Sequence, residues 1–442
     1  MTQSQARTGD RPSTNGGPVK SKRDLGLLTV THGVNDMYQG AIPALLPFLQ
    51  AGRGYSYTLI TGITLAATGL SSLIQPVVGL LADRRPMGWL VPAGMVTAGV
   101  GVGLSGLGDT YVWTWLAVAL AGIGLAAYHP SGAMAARVIG GGDTRSMSVF
   151  AVGGNIGVAL APLYVSLVIN GSGIPGTWLL ALPALAMGVA CCLVRRFWRV
   201  APATGPRAQG ADGGTAQAGR PDDWRAFGKL SVISVFWSIP YVVMGALAAP
   251  YVISRFGVSA ATGAAALTAF TAGGVIGTLA GGWSAERWGR LPSLRYGYLV
   301  SVLAVAGMVL MPNIAGVLVC ALVYGTVLFV PFAAQVTLAQ DYLPTRIGTA
   351  SGLTLGVTLS AGGLLSPLFG MLADAWGVRA VLATLIGILL VPAALAWRLR
   401  DPRRAEALPN GGNDGRHAPP PRSPQQPTGT PLRQRGQARE SR

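Results

Sequence analysis

Twelve apolar stretches of roughly 18–25 residues leave this chain few ways to fold, because each can cross ~30 Å of hydrocarbon as a helix. In lipid an unpaired backbone amide costs several kcal/mol, so such runs are read as helices whose hydrogen bonds close within the segment. The runs cover residues 25–49, 59–82, 89–107, 112–136, 147–169 and 177–195, then 229–253, 262–284, 294–311, 313–338, 348–372 and 378–399. Charged residues make up 11% of the 442, against ~25% in a typical soluble domain, which excludes an ordinary soluble enzyme. The 63 glycines suit helices that approach one another closely in lipid. The expected fold class is all-α, a polytopic membrane protein with twelve transmembrane helices.

The polar segments divide the chain. Residues 1–24 form a polar N-terminal tail that does not read as a cleaved leader. Residues 25–195 hold six spans and 229–400 hold six more. Between them, 196–228 is rich in Arg, Gly, Pro and Ala and reads as a flexible linker. The tail 401–442 is rich in Pro, Gly, Gln and Arg and is expected to be disordered. The net charge of +17 does not indicate nucleic-acid binding, because the basic residues sit between apolar runs and in the tails. With both termini in the cytoplasm, thirty Lys and Arg fall inside and three outside: Arg53, Arg255 and Arg379. That bias sets the expected orientation in the membrane. Cys191, Cys192 and Cys320 lie in apolar runs without metal-ligand spacing.

An internal repeat underlies the two halves. Gly79–Arg85 recurs as Gly282–Trp288, Asp143–Ser148 as Pro344–Thr349, and Gly157–Leu163 as Gly362–Leu368, at offsets of 203, 201 and 205. Three matches in one order at nearly one spacing indicate two six-helix pseudo-repeats. Such halves are a transporter architecture, with the substrate site between them.

The first span is the most informative. His32, Asn35, Asp36, Gln39 and Pro43 share one helical face. Asp36 is the twelfth residue of its span, near the bilayer midplane. An intramembrane carboxylate costs at least ~2.5 kcal/mol, so it is read as a proton site, with His32 one turn away as its partner. His129, in the Tyr128–His129–Pro130 run of the fourth span, is the second candidate relay, because imidazole titrates in the physiological range. Asn35, Gln39, Gln75, Tyr128, Asn155, Trp237, Tyr241 and Gln335 are the candidate substrate contacts, as polar or aromatic groups within apolar runs. No GxxxxGK[ST] loop occurs, so no ATP site is expected; nor is a metal, a cofactor or an enzyme activity.

The loop after the second span, Gly79-Leu-Leu-Ala-Asp83-Arg84-Arg85, resembles the signature loop of the major facilitator superfamily, and Gly282–Arg290 is its second copy, with Glu286 for Asp. The acid can cap a helix N-terminus in the other half, where free N–H groups and the dipole favour a carboxylate. By this resemblance Asp83 meets the chain near Ile347–Thr349 and Glu286 meets Ser146–Ser148. Asp83, Arg84, Arg145, Glu286, Arg287, Arg346 and Asp374 are then the candidate cytoplasmic gate.

Other motifs narrow the resemblance. His32-Gly-Val-Asn35-Asp36, Ser71–Gly79, Pro86-Met87-Gly88-Trp89, Tyr128-His129-Pro130 and Phe150–Gly157 are similar to the fosmidomycin resistance transporters. The resemblance implies the major facilitator fold in a bacterial inner membrane and the export of small toxic compounds in exchange for protons, with a small-molecule substrate and protons as partners and the bilayer as surroundings; the unit is expected to be a monomer, which the resemblance itself does not set. A symporter importing a metabolite, and a non-transporting scaffold on the same fold, are the alternatives. The first would use the same carboxylate.

Overall fold

The computed structural model describes residues 22–84, 87–139, 144–194, 221–345, 350, 353–354 and 358–401. Among the described residues there are twelve α-helices: α1 (Lys22–Arg53), α2 (Tyr57–Arg84), α3 (Leu90–Leu104), α4 (Tyr111–Ile139), α5 (Thr144–Ser172) and α6 (Leu182–Leu193). They continue as α7 (Trp224–Phe256), α8 (Ala260–Arg287), α9 (Arg290–Leu310), α10 (Ile314–Tyr342), α11 (Thr358–Trp376) and α12 (Val378–Ala396). No strand occurs among the described residues. The elements follow the apolar runs, with ends set by local chemistry. The side chain of Asp223 accepts the Ala226 N–H and starts α7. Gly257 ends it with φ +65°, a conformation that favours glycine.

One span departs from the sequence expectation. The sixth apolar run opens as a 3₁₀ helix, Ile174–Ala181, before α6 begins. Pro175 and Pro183 withhold two backbone N–H groups there. Thr177 instead ties the segment sideways, donating to the Gly103 carbonyl at 2.9 Å and accepting the Gly106 N–H at 3.1 Å.

Helix packing repeats with a shift of six. α1 lies on α5 as α7 lies on α11; α2 and α3 both pack on α4, as α8 and α9 both pack on α10. Between the halves, α2 packs on α11 and α5 on α8. Small residues permit the closest of these approaches: a Cβ on Gly157 of α5 would run into the Gly33 carbonyl of α1.

The three arginines assigned to the outside loops share one task. Arg53 donates to Thr114 Oγ1 at 2.6 Å and to the Gly106 carbonyl at 2.7 Å, fastening the α3–α4 turn. Arg255, at the matching place in the second half, donates to the Tyr251 hydroxyl and to the carbonyls of Val309 and Met311 at 2.9 and 2.6 Å, fastening the α9–α10 turn. Arg379 reaches the Val309 carbonyl at 3.2 Å. Each guanidinium satisfies carbonyls that a helix end leaves open. These residues mark one end of the bundle, called here the Arg53 end. Arg290, paired with Asp341 and Asp401, marks the other.

Candidate functional site

The polar face of α1 turns inward. His32, Asn35 and Asp36 are all buried, and α4 and α5 complete their surroundings. The Asp36 carboxylate lies between two imidazoles: Oδ2 is 3.2 Å from His32 Nε2, and Oδ1 is 3.1 Å from His129 Nε2. Asn35 Nδ2 donates to Oδ1 at 3.1 Å. His32 and Asp36 are neighbours on one helix face, but His129 is 93 positions away and arrives by the packing of α4.

The second nitrogen of each ring has a fixed role. His32 Nδ1 is 2.8 Å from the Phe150 carbonyl, and His129 Nδ1 is 2.8 Å from the Leu125 carbonyl. A carbonyl can only accept, so both Nδ1 atoms carry hydrogen. The Leu125 carbonyl lies one turn before His129, beside the place where Pro130 interrupts the backbone ladder. Each Nε2–carboxylate contact is then a hydrogen bond only when one further proton occupies it. The cluster can hold none, one or two such protons, with net charges of −1, 0 and +1.

The two imidazoles differ in access. His32 stacks on Phe150, with ring centroids 4.0 Å apart and planes 7° apart, and its side chain is 11% exposed. The His129 side chain is 29% exposed and is the open edge of the cluster. Tyr128 does not reach it by hydrogen bond; its hydroxyl pairs with Thr31 at 2.9 Å. Behind Asp36 stands Gly154 of α5, where a Cβ would strike Oδ2 and the His32 ring. Phe150, Gly154 and Thr31 were not singled out in the sequence. Phe150 and Gly154 lie within the Phe150–Gly157 motif, but nothing local to them shows that they face α1. The donor atoms of His32, Asp36 and His129 lie within 4.8 Å of one another, a spacing that also suits a bound cation.

A cavity of about 870 Å³, part of it continuous with solvent, lies between the halves. Gln39, Gln75 and Tyr241 line it, as expected, together with residues of α1, α2, α7 and α8. The side chains of Gln39 and Tyr241 interact across it. Four other candidate substrate contacts are engaged elsewhere. Asn35 serves Asp36. Tyr128 is fully buried. Trp237 is buried and donates to the Leu328 carbonyl at 2.7 Å. Gln335 is buried between Ser234 Oγ at 2.7 Å and Tyr298 OH at 2.6 Å. Asn155 is half-buried in α5 and is not part of the lining. These polar groups satisfy one another within the protein, which a polar residue in an apolar run cannot disclose by itself.

Of the gate residues, the side chains of Asp83, Arg84 and Arg145, and Arg346 altogether, lie outside the described residues. Glu286 and Arg287 are exposed at the last turn of α8. Asp374 is a correction. It sits at the Arg53 end, opposite Glu286, and caps the start of α2 from the other half. It accepts the N–H groups of Tyr57 and Thr58 at 2.8 and 2.9 Å and the Thr58 hydroxyl at 2.6 Å. Partial burial works to raise its pKa, but the bonds from Thr58 and Tyr57 outweigh it and hold the carboxyl below its ordinary value of 3.8. Sequence alone gives an acid at a helix end; which end depends on how α11 threads the bundle.

Comparison with known proteins agrees with this architecture. Residues 28–367 match the Major Facilitator Superfamily. The chain is 31% identical over 364 residues to the fosmidomycin resistance protein of Escherichia coli K12, covering 81% of this chain and 88% of that one. It is 29% identical over 405 residues to an uncharacterized MFS-type transporter, YfnC, of Bacillus subtilis 168, covering 87% and 93%. Among solved structures, a bacterial homologue of the human lysosomal transporter Spinster, inward-facing and occupied, superposes with a TM-score of 0.69 at 16% identity, covering 86% of this chain and 98% of that one. The nucleoside transporter NupG superposes at 0.67 with 12% identity, covering 85% and 98%. With twelve helices, a central cavity and a family match across most of its length, the chain is a multi-pass membrane protein that belongs to the major facilitator superfamily of transporters.

Proposed function

We propose that this transporter exports a small toxic compound across the bacterial inner membrane in exchange for protons, as a monomer with both termini in the cytoplasm. The observation that carries the reading is the Asp36 carboxylate held between His32 Nε2 and His129 Nε2. A buried group whose net charge changes by one with each proton, beside a cavity between two halves, is what coupling requires. Protons enter through the open edge at His129, while His32 stays sealed against Phe150. Gln39, one turn from Asp36 and in contact with Tyr241, links the cluster to the opposite half.

Alternating access needs a closure at each end. Asp374 capping α2 provides one at the Arg53 end, which the charge bias makes the outside. Asp83 and Glu286, by resemblance to the superfamily loop, provide the other. Export is supported by the Escherichia coli relative, which is named for resistance to fosmidomycin.

The test is transport in proteoliposomes with an imposed pH gradient and a panel of solutes. Antiport requires solute to move against the direction of proton flux. Asp36→Asn keeps the shape but removes the charge, and gradient-driven movement is expected to stop while the protein remains folded. Solute moving with the protons would make the protein a symporter. Wild-type accumulation by Asp36→Asn would remove Asp36 from the coupling site.

A further inference from the structure

In the Asp36 cluster two imidazoles and a carboxylate turn acceptors on one another. The Phe150 and Leu125 carbonyls take hydrogen from the two Nδ1 atoms at 2.8 Å each, so each neutral ring presents the lone pair of Nε2 to the carboxylate. Those lone pairs face Oδ2 at 3.2 Å and Oδ1 at 3.1 Å. No Lys or Arg pairs with Asp36 among the described residues. Such an arrangement needs positive charge between the rings and the carboxylate. A proton at each contact is one way to supply it. A single divalent cation is another.

Tetrahedral zinc holds His nitrogen and carboxylate oxygen at about 2.0–2.2 Å, which sets neighbouring ligand atoms about 3.3 Å apart. Two of the edges here are 3.2 and 3.1 Å, and no pair of donor atoms is more than 4.8 Å apart. A backbone carbonyl on the far nitrogen of each ring is the outer support that metal-bound histidines have, fixing tautomer and ring direction. Asn35 supplies a second, independent observation. It is fully buried, and its Oδ1 has no hydrogen-bond partner among the described residues. Its amide already touches the cluster, with Nδ2 3.1 Å from Asp36 Oδ1. The end torsion of asparagine is roughly two-fold, so a half-turn exchanges the two atoms and offers oxygen to the cluster. The open edge at His129 is the way in. We infer that His32 Nε2, His129 Nε2 and the Asp36 carboxylate bind a divalent transition-metal ion of the zinc type, with Asn35 Oδ1 completing the ligand set. Two imidazoles select such an ion over Mg²⁺ or Ca²⁺, which take oxygen ligands. With −1 from the carboxylate and +2 from the ion, the cluster carries the same net charge as in its doubly protonated state, and the ion holds it there while bridging α1 to α4.

Visible absorption of Co²⁺ added to the purified, tag-free full chain tests it, because Co²⁺ stands in for Zn²⁺ and absorbs strongly in four-coordinate sites. An intense visible band is expected, bleached by Zn²⁺ and unaffected by excess Mg²⁺. Asp36→Asn and His129→Gln should each weaken Co²⁺ binding at least about tenfold. His129→Cys, which returns a ligand as thiolate, should recover binding and add a sulfur-to-cobalt charge-transfer band, and it guards against a folding defect in the glutamine variant. The third histidine of the chain, His417, lies in the tail, and His417→Ala should bind as wild type. No four-coordinate band, a band unchanged in Asp36→Asn and His129→Gln, or a band lost in His417→Ala would each overturn the inference. The site stands on its geometry, and only its effect on transport rests on the coupling reading. Where both hold, Zn²⁺ stops pH-driven exchange in proteoliposomes. Zn²⁺ bound without inhibition would sink the coupling reading and leave the metal site standing. Coupling lost in Asp36→Asn, with no cobalt band in the wild type, would sink the metal site and leave coupling standing.

Discussion

The carboxylate of Asp374, near the end of α11, caps Thr58 in the first turn of α2, accepting both its N–H and its hydroxyl, and so ties the two halves of the protein together at one end. Ser366 and Gly370 continue that contact along the same pair of helices, with Ser366 Oγ reaching the Thr61 carbonyl at 3.4 Å. A cap that spans two bodies must break when they part, so it weights the population toward closure at the Arg53 end.

Asp374→Ala is therefore expected to open that end more often. A single cysteine placed among the cavity residues of α2 should react severalfold faster with an impermeant thiol reagent added from the Arg53 side. An unchanged labelling rate would show that the cap does not contribute to closure.

The same contact has a definite pH sign. Its bonds hold the Asp374 carboxyl below the ordinary 3.8, so the stabilisation of closure is complete above that value and is lost as pH falls through the depressed one. Labelling of the wild type should accelerate only below about pH 4, and Asp374→Asn should remove that acceleration. Acceleration retained in Asp374→Asn would assign it to another group.

The two histidines should separate on mutation. His129, with its exposed edge, is the expected route for exchange, so His129→Gln should abolish pH-gradient-driven accumulation. His32 is stacked on Phe150 and bonded to its carbonyl, so His32→Gln should chiefly cost stability, seen as a lowered Tm, with coupling retained at a reduced rate. The reverse pattern in proteoliposomes would exchange their roles.

Gly154 should be intolerant for a local reason. A Cβ there presses on Asp36 Oδ2 and the His32 ring, so Gly154→Ala is expected to disrupt coupling, with an overpacking cost of about 1–3 kcal/mol. Gly387→Ala meets open space and is the control, expected to transport as wild type. Equal activity of the two variants would mean that α5 yields at this point.

Arg255 should matter for stability, not transport. Losing its bonds to the α9–α10 turn is expected to cost about 2 kcal/mol, because the carbonyls it satisfies lie at a helix end. Arg255→Lys should recover only part of that, since an ammonium cannot reproduce the fork of the guanidinium. Thermal unfolding in detergent measures both.

The twelve helices were legible in the sequence because lipid imposes a local rule: a run long and apolar enough must bond its own backbone, and neighbours in the chain decide that alone. The alignment of His32, Asn35, Asp36 and Gln39 was legible for the same kind of reason, since helical periodicity places residues separated by three or four positions on one face. Eight of the described helices, with their 3₁₀ lead-in counted, are apolar enough to qualify as spans by composition, and α1 is not among them because it carries these polar groups. What the tertiary structure decided were relations between helices. His129 joins Asp36 through the packing of α4 on α1, and Gly154 backs the cluster through α5. Trp237 and Gln335 find partners inside the second half and leave the cavity, while Asp374 falls at the end opposite to the one the loop motif implied. A local pattern shows that a polar side chain needs a partner. Whether that partner is solute, proton or protein depends on which distant surface the fold brings against it.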